Sequence, residues 1–575
     1  MKKLLGVLTA AGVALGALAG TAAQAQNKNL VFLAADVPIS LNLDGRAGTH
    51  FGSQTAWVNL YEPLLYHEVV GRNEEGIEVH DFNRYVSRLA ESWSFDDKTL
   101  TWTFKLRRGV KGCDGSTFNA DDVIYTFARG KSLTGASGIA FFLSEVASIA
   151  GFDQSVRAAR RAQLDAQQAG RPAAANDATK LGEEIRKIDD YTVQFKQSAA
   201  NKLFLPVLTI YSLRIMDKET MEKHATADDP WSHKYVDQVN GPSFGAYCLD
   251  KWTPEQEFRV KANKDYYGKK PYFDNVIMRR VPQSSNRLAI LRTGQAQMTE
   301  NLTPQEFESL RTVKGVKVGG HYLNNTLIFL ANWKAKPLDN IKVRQALAHA
   351  IPYDEVLRVG YNNTGKKWNG HVPSLYPGYH KPTVDYDYNP AKAKALLAEA
   401  GYPDGKGLEA FGNSFLLGYN ADREGILGRT ATVLQTELGK VGFPIKLDPL
   451  PPGQIADRLM VKKDLALGLY DLSRPIGVDA VYAMLLYFVS SEKGGLLNMT
   501  NYSNPRVDEL YKLAQLEGNE QKRNEYLAEA QEILQKELAW ISVAEYKTQW
   551  AFNDKIKGIA IHPDNNVRWA ELRMD

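Results

Sequence analysis

The stretch Leu89–Arg129, LAESWSFDDKTLTWTFKLRRGVKGCDGSTFNADDVIYTFAR, holds a strand, two turns and a capped helix in one run. Between Leu100 and Leu106 the residues alternate. Leu100, Trp102, Phe104 and Leu106 fall on one face and Thr101, Thr103 and Lys105 on the other, the period of a half-buried strand. Arg107-Arg108-Gly109 ends it, and Asp114-Gly115 marks a second turn. Asn119 then stands as an N-cap, with Asp121 and Asp122 in the first helical turn, where free amides and the helix dipole favour negative charge. Val123, Ile124 and Phe127 give the helix an apolar stripe, so the segment must pack on something larger than itself.

The succession L-A-E-S-W, a tryptophan-bearing strand, L-R-R-G-V-K, D-G-S-T-F-N-A-D-D-V and Y-T-F resembles the signature region of the family 5 extracellular solute-binding proteins. These are the peptide-, nickel- and opine-type receptors of bacterial ABC importers. The resemblance implies an α/β fold: a two-lobed periplasmic-binding-protein clamshell of type II, with an additional subdomain on the first lobe. It also implies a peptide or other small-molecule ligand held between the lobes, delivery to ABC transporter membrane permease subunits, a monomer, and neither catalysis nor a cofactor.

The amino terminus reads as an export signal. Lys2 and Lys3 precede an uncharged small-and-apolar run from Leu4 to Gly20, and Ala23-Gln24-Ala25 supplies the A-x-A pattern of signal peptidase. Later segments never reach the roughly 18 uninterrupted apolar residues that a span requires. The expectation is a soluble periplasmic protein that starts at Gln26. Removing the first 25 of 575 residues leaves 550, too many for one core. The formal charge drops from +4 by the two lysines, which gives no bulk argument for nucleic acid or an anionic membrane. Cys113 and Cys248 are the only cysteines. An oxidising compartment permits their pairing and spacing does not demand it, so a disulfide and two separate buried thiols both stay open.

Further along, the apolar strand Leu30–Ala34 leads into PISLNLDG, similar to the family's loop at the mouth of the cleft, which puts Leu41 and Asn42 there. In WVNLYEPLLYH, Trp57, Leu60, Tyr61, Leu64 and Leu65 suit a helix on a core. Residues 150–187 turn to Ala, Gln and Arg and read as a surface insertion. GPSFG at 241–245 fits the G-x-S-x-G elbow of hydrolases only formally, because a strand, AYCL, follows the serine where a helix is needed. TLIFLANWKAKPLDNIKVRQALAHA resembles the family's strand ending in an asparagine, here Asn332, followed by a helix capped by Asp339 or Asn340. The expected divisions are a signal at 1–25, lobe I at 26–70 and 207–312, its extra subdomain at 71–206, lobe II at 313–540 and a return to lobe I at 541–575.

Metal motifs and phosphate loops are absent from the sequence: there is no H-E-x-x-H, C-x-x-C, P-loop or G-x-G-x-x-G. His224 and His233, nine apart near Pro230, read as solvent-facing. The segment expected to meet ligand is LGLYDLSRPIGVDAVYAMLLYF, 467–488, which contains Tyr470, Arg474 and Asp479. In peptide-binding members a "W-x-x-D" here offers its carboxylate to the peptide's amino terminus, and Asp479 matches that aspartate. Ile476 replaces the tryptophan, and the usual following proline is missing. Asp479 therefore has two readings, ligand anchor or N-cap of the helix after it, and Arg474 either holds a ligand carboxylate or pairs with Asp479. A non-peptide solute such as an oligosaccharide, opine or metal chelate stands as the alternative ligand, and an exported hydrolase as the alternative function.

Overall fold

Two mixed sheets organise the chain, each assembled from strands far apart in sequence. The computed structural model describes residues 28–43, 50–131, 138–152, 165, 169–170, 184–238, 241, 243–473, 477–493, 495 and 497–575. The expected signal at 1–25, Arg474, and most of the 150–187 insertion lie outside these residues.

Lobe I is a seven-stranded sheet in the order Val316–His321, Thr548–Asn553, Met298–Glu300, Asn29–Ala34, Asn275–Arg280, Glu257–Ala262, Tyr247–Thr253. Lobe II is a six-stranded sheet in the order Gly365–Lys367, Ile541–Tyr546, Asn325–Ala331, Leu467–Ser473, Leu416–Asn420, Lys446–Leu450. Its strand Asn325–Ala331 is buried at every position, as a central strand covered on both faces must be. Sheet membership puts the two crossings at residues 322–324 and at Lys547, C-terminal to the boundaries at 313 and 541 that the sequence suggested. A knot of uncharged side chains ties the crossings together. Asn325 Nδ2 donates to Thr548 Oγ1 at 2.6 Å, Thr548 Oγ1 donates to Asn565 Oδ1 at 3.0 Å, and Asn565 Nδ2 returns to Asn325 Oδ1 at 3.1 Å.

The opening stretch builds the subdomain of lobe I. Thr101–Leu106 pairs with Ala90–Asp96 and with Thr192–Lys196 in a four-stranded sheet. Phe104 and Leu106 are buried, and Trp102 stacks on Phe204 with ring centroids 5.5 Å apart. The helix Ala120–Arg129 starts from a complete capping box. Asn119 Oδ1 accepts from the Asp121 amide at 2.7 Å, and the Asp122 carboxylate accepts from the Asn119 amide at 2.8 Å. A disulfide joins Cys113, in the turn before that helix, to Cys248 in an edge strand of the lobe I sheet, with the α-carbons 5.6 Å apart. The pairing that the sequence left open is thus made.

One local reading differs. The helix Phe51–Leu60 stops before Glu62-Pro63; Leu64 lies in the bend that follows, and Leu65 starts a hairpin strand, Leu65–Arg72. Proline at 63 cannot continue the helix and biases Glu62 toward extended backbone, which decides the matter against apolar periodicity. After Ser243 the chain forms the strand Tyr247–Thr253, as the sequence indicated, so no nucleophile elbow is built.

Candidate ligand cleft between the lobes

The lobe I wall begins where the strand Asn29–Ala34 ends. The loop beyond it is pinned from three sides: Trp57 Nε1 donates to the Ser40 carbonyl at 3.1 Å, Tyr61 Oη donates to the Leu41 carbonyl at 2.9 Å, and the Leu41 amide donates to the Val236 carbonyl at 3.1 Å. Trp57 and Leu41 are fully buried. Truncating such a tryptophan costs on the order of 3–5 kcal/mol, so the helix holds the loop rigidly. Asn42 faces inward as well: its Oδ1 accepts from Arg129 Nη1 at 2.8 Å, and its Nδ2 lies 3.0 Å from His233 Nδ1. Arg129 Nη2 also reaches His233 Nδ1, at 2.7 Å. Burial, and then the Arg129 charge, push His233 down to about 2, so it stays neutral and accepts. His233 is thus turned toward the protein, not toward solvent as its position near Pro230 indicated.

The lobe II wall is the strand Leu467–Ser473 and the helix Ala480–Tyr487. Asp479 caps that helix, its Oδ1 accepting from the Val481 amide at 2.7 Å. The same oxygen accepts from Arg523 Nη2 at 2.5 Å. Burial raises the Asp479 carboxyl above its ordinary value, with Arg523 and the Val481 amide pulling the other way. The Ala480 amide donates to the Pro377 carbonyl at 2.9 Å, which locks the start of the helix onto the 377–378 turn.

Across the cleft, Phe142 of lobe I and Tyr482 of lobe II approach to 6.4 Å between ring centroids; within lobe I, Trp57 stands 5.8 Å from Tyr211. Burial first, and then the neighbouring phenols of Tyr487, Tyr211 and Tyr376, hold the Tyr482 hydroxyl protonated. The subdomain also reaches Asp479 electrostatically: Lys202 favours its charged form, and after burial the Asp479 carboxylate is the main influence raising the Tyr85 phenol. The buried core of lobe I runs without a break into Val478–Val489 of lobe II. Such walls offer flat aromatic faces, neutral hydroxyl donors and one compensated carboxylate.

Of the residues expected at the site, Leu41 and Asn42 lie in the lobe I loop, and Tyr470 and Asp479 lie in lobe II, Tyr470 on the strand Leu467–Ser473 opposite Ile328. Tyr470 is close enough to Tyr487 to raise its phenol, after burial. Asn332 sits at the far end of its strand, where its Nδ2 lies within hydrogen-bond distance of the Lys463 and Leu465 carbonyls, at 3.1 and 3.2 Å, and its Oδ1 accepts from the Lys334 amide at 3.0 Å. Three participants were not named from sequence. Tyr482 is visible in hindsight, three residues after Asp479 in the quoted segment. Phe142 and Arg523 carry no sequence signal that ties them to it. Among the described residues there is no group of three or more His, Cys, Asp or Glu side chains placed to hold a metal ion, and no helix is long and apolar enough to cross a membrane.

Residues 84–494 match the family model for bacterial extracellular solute-binding proteins, family 5. The chain belongs to that family. A family 5 relative, the dipeptide-binding protein of Escherichia coli strain K12, is 26% identical over 553 residues, covering 94% of each chain. Solved family 5 folds superimpose over nearly the whole molecule. The periplasmic binding protein of Helicobacter pylori in complex with peptide STSA gives a TM-score of 0.73 at 21% identity, covering 95% of this chain and 98% of that one. A binding protein of A. tumefaciens R10 in complex with mannopinic acid gives 0.71 at 18% identity, covering 96% and 100%. The type II two-lobed fold with a subdomain on lobe I is therefore that of the family.

Proposed function

We propose that this family 5 protein is a periplasmic receptor that captures a peptide or peptide-like solute between its lobes and hands it to the membrane permease subunits of an ABC importer, after removal of residues 1–25. It acts as a monomer and by binding alone. The observation that carries the reading is the inter-lobe face itself: aromatic rings from both lobes meet there, and the lobe II ring, Tyr482, lies in the first turn of the helix that Asp479 caps. Aromatic walls accept varied side chains loosely, and closure excludes water from each polar contact. Relatives named for dipeptides and a fold shared with a peptide complex support the solute class.

A second reading has its own support. Asp479 already holds Arg523, so its charge is compensated before any ligand arrives. That favours a solute whose recognition does not depend on a primary ammonium at Asp479, and a fold shared with a mannopinic acid complex is in keeping with it. Native mass spectrometry of the protein purified from periplasm, followed by calorimetry with the released molecule and with a dipeptide panel, decides between them. A peptide mass and micromolar or tighter dipeptide binding support the first reading. An opine or sugar conjugate with no dipeptide binding supports the second, and hydrolysis of any of these molecules would overturn both.

A further inference from the structure

A cavity of about 530 Å³ opens on lobe I, away from the cleft. Its walls come from the end of the helix Phe51–Leu60, the base of the subdomain at Ser87 and Arg88, the 266–272 loop and the carboxy-terminal strip at 568–573. The 266–272 loop leads into the strand Asn275–Arg280, which runs parallel to Asn29–Ala34, so the cavity lies where the parallel strands of the sheet begin. Val316–His321 runs in that same direction and leaves for lobe II from its far end. Cavity and cleft therefore occupy opposite ends of the lobe I sheet.

The lining is strongly cationic. Five arginines and two lysines face two carboxylates, Glu62 and Glu571. Both carboxylates are engaged: Glu62 accepts from the Tyr266 hydroxyl, and Glu571 lies 3.1 Å from His562 Nε2 and 3.6 Å from Arg88. Arg568 is committed to Asp564 at 2.5 Å. Arg214 is the telling residue. It is 3% exposed, it lines the cavity, its Nη1 donates to the Tyr61 carbonyl at 3.0 Å, and its Nε is buried without a hydrogen-bond partner. No carboxylate forms an ion pair with it among the described residues. Burial and then the Arg568 charge push Arg214 down to about 10, the mark of a cation short of negative charge. At the mouth, Lys269 and Lys270 are exposed and make no ion pair among the described residues. The run Tyr266-Tyr267-Gly268-Lys269-Lys270, which the solute cleft does not use, thus brings two tyrosines and two free lysines to one rim.

We propose that this cavity binds a small, multiply charged anion, phosphorylated or polycarboxylate, at a site independent of the solute cleft. A buried guanidinium with an unused donor is costly, and a bound anion supplies the missing partner, with planar forks suited to carboxylate or phosphate oxygens. The lysines act as point charges that draw the anion in from solvent. The volume exceeds what a single inorganic phosphate fills and falls in the range of ordinary small-molecule sites.

Calorimetry of the mature protein at low ionic strength with pyrophosphate and with citrate tests this, the two arms separating phosphate from carboxylate chemistry. Saturable binding of at least one anion is expected. It should weaken at least tenfold in the double variant Lys269→Ala/Lys270→Ala and also in Arg214→Gln, and it should be unchanged in Asp479→Asn. The lysines are exposed, so the double variant keeps the question answerable should Arg214→Gln fail to fold. Failure of both anions to bind saturably overturns the proposal. So does binding that the lysine replacements leave unaltered.

Discussion

Arg523 Nη2 donates to the very Asp479 oxygen that accepts the Val481 amide, so one buried carboxylate atom closes an ion pair and a helix cap at once. Breaking such a pair from one side strands a charge. Arg523→Met should destabilise the protein by on the order of 3–5 kcal/mol, whereas Asp479→Asn combined with Arg523→Met should cost clearly less than the sum of the two single changes, since asparagine still caps. Urea unfolding of the four proteins gives the cycle. Additive losses would mean that the pair contributes nothing as a pair.

The same geometry sets an expectation for binding. With Asp479 compensated by Arg523, replacing it by asparagine should change affinity for the native solute only a few-fold while lowering the melting temperature. Calorimetry on the variant reads this directly. A loss beyond about a hundredfold, ~2.7 kcal/mol, would instead make Asp479 the anchor of a ligand ammonium.

In the first turn of the capped helix, Tyr482 is a contact between the lobes. Solute binding should reduce the radius of gyration measured by X-ray scattering, through rotation about 322–324 and Lys547. Tyr482→Ala should enlarge the unliganded particle toward an open form. Identical scattering with and without saturating solute would argue against a closing cleft.

The Cys113–Cys248 bond spans 135 residues and fastens the subdomain to the lobe I sheet. Chain entropy assigns a loop of that length about 5 kcal/mol. Reduction, or Cys113→Ser/Cys248→Ser, should lower the melting temperature of lobe I by many degrees with little change in solute affinity. Calorimetric scans with and without reductant measure it, and superimposable scans would contradict it.

Acid should destabilise the protein well above the range where carboxylates titrate. His67, His80 and His562 crowd around Tyr66. Burial above all holds His67 at about 3 and His80 at about 2, and burial with the Arg568 charge holds His562 below its ordinary value. All three fold neutral, while the unfolded chain takes up protons below about pH 6.5. Their contribution is therefore whole above that pH and falls as pH drops, by about 1.4 kcal/mol per unit for His67 and for His80. Asp122 opposes them. Burial raises it to about 7, so the folded protein gains a proton first and this one group adds stability as pH falls from 7. His233 and His371, held by burial at about 2 and about 3, act with the cluster, while Asp217 and Asp479, also raised by burial, side with Asp122; the buried histidines outnumber the raised carboxyls and predict a melting temperature that declines from pH 6.5 to 4.5. A flat profile over that window would show the cluster to be protonated in the fold.

How far the sequence could be read depended on the range of the forces at each place. The cap at Asn119 and the strand Thr101–Leu106 are set by neighbours a few residues away, and each was visible. At 63–65 periodicity and proline disagreed, and the proline prevailed. Asp479 was legible as a cap because its amide partner is two residues off, and its partner Arg523 was not, being 44 residues distant and placed by the packing of two helices. The lobe I cavity was hidden for the same reason, since its five arginines come from four separate parts of the chain.

The place of Thr548–Asn553, between Val316–His321 and Met298–Glu300, also fixes an order of events. All six strands of lobe II lie between 325 and 546 and can assemble as soon as they are made. The seven-stranded sheet must wait for one of its inner members until all but the last few dozen residues have been synthesised. A nascent chain is thereby kept from completing its first lobe early, and a truncation just short of 548 would leave two strand edges bare and prone to pair with other chains.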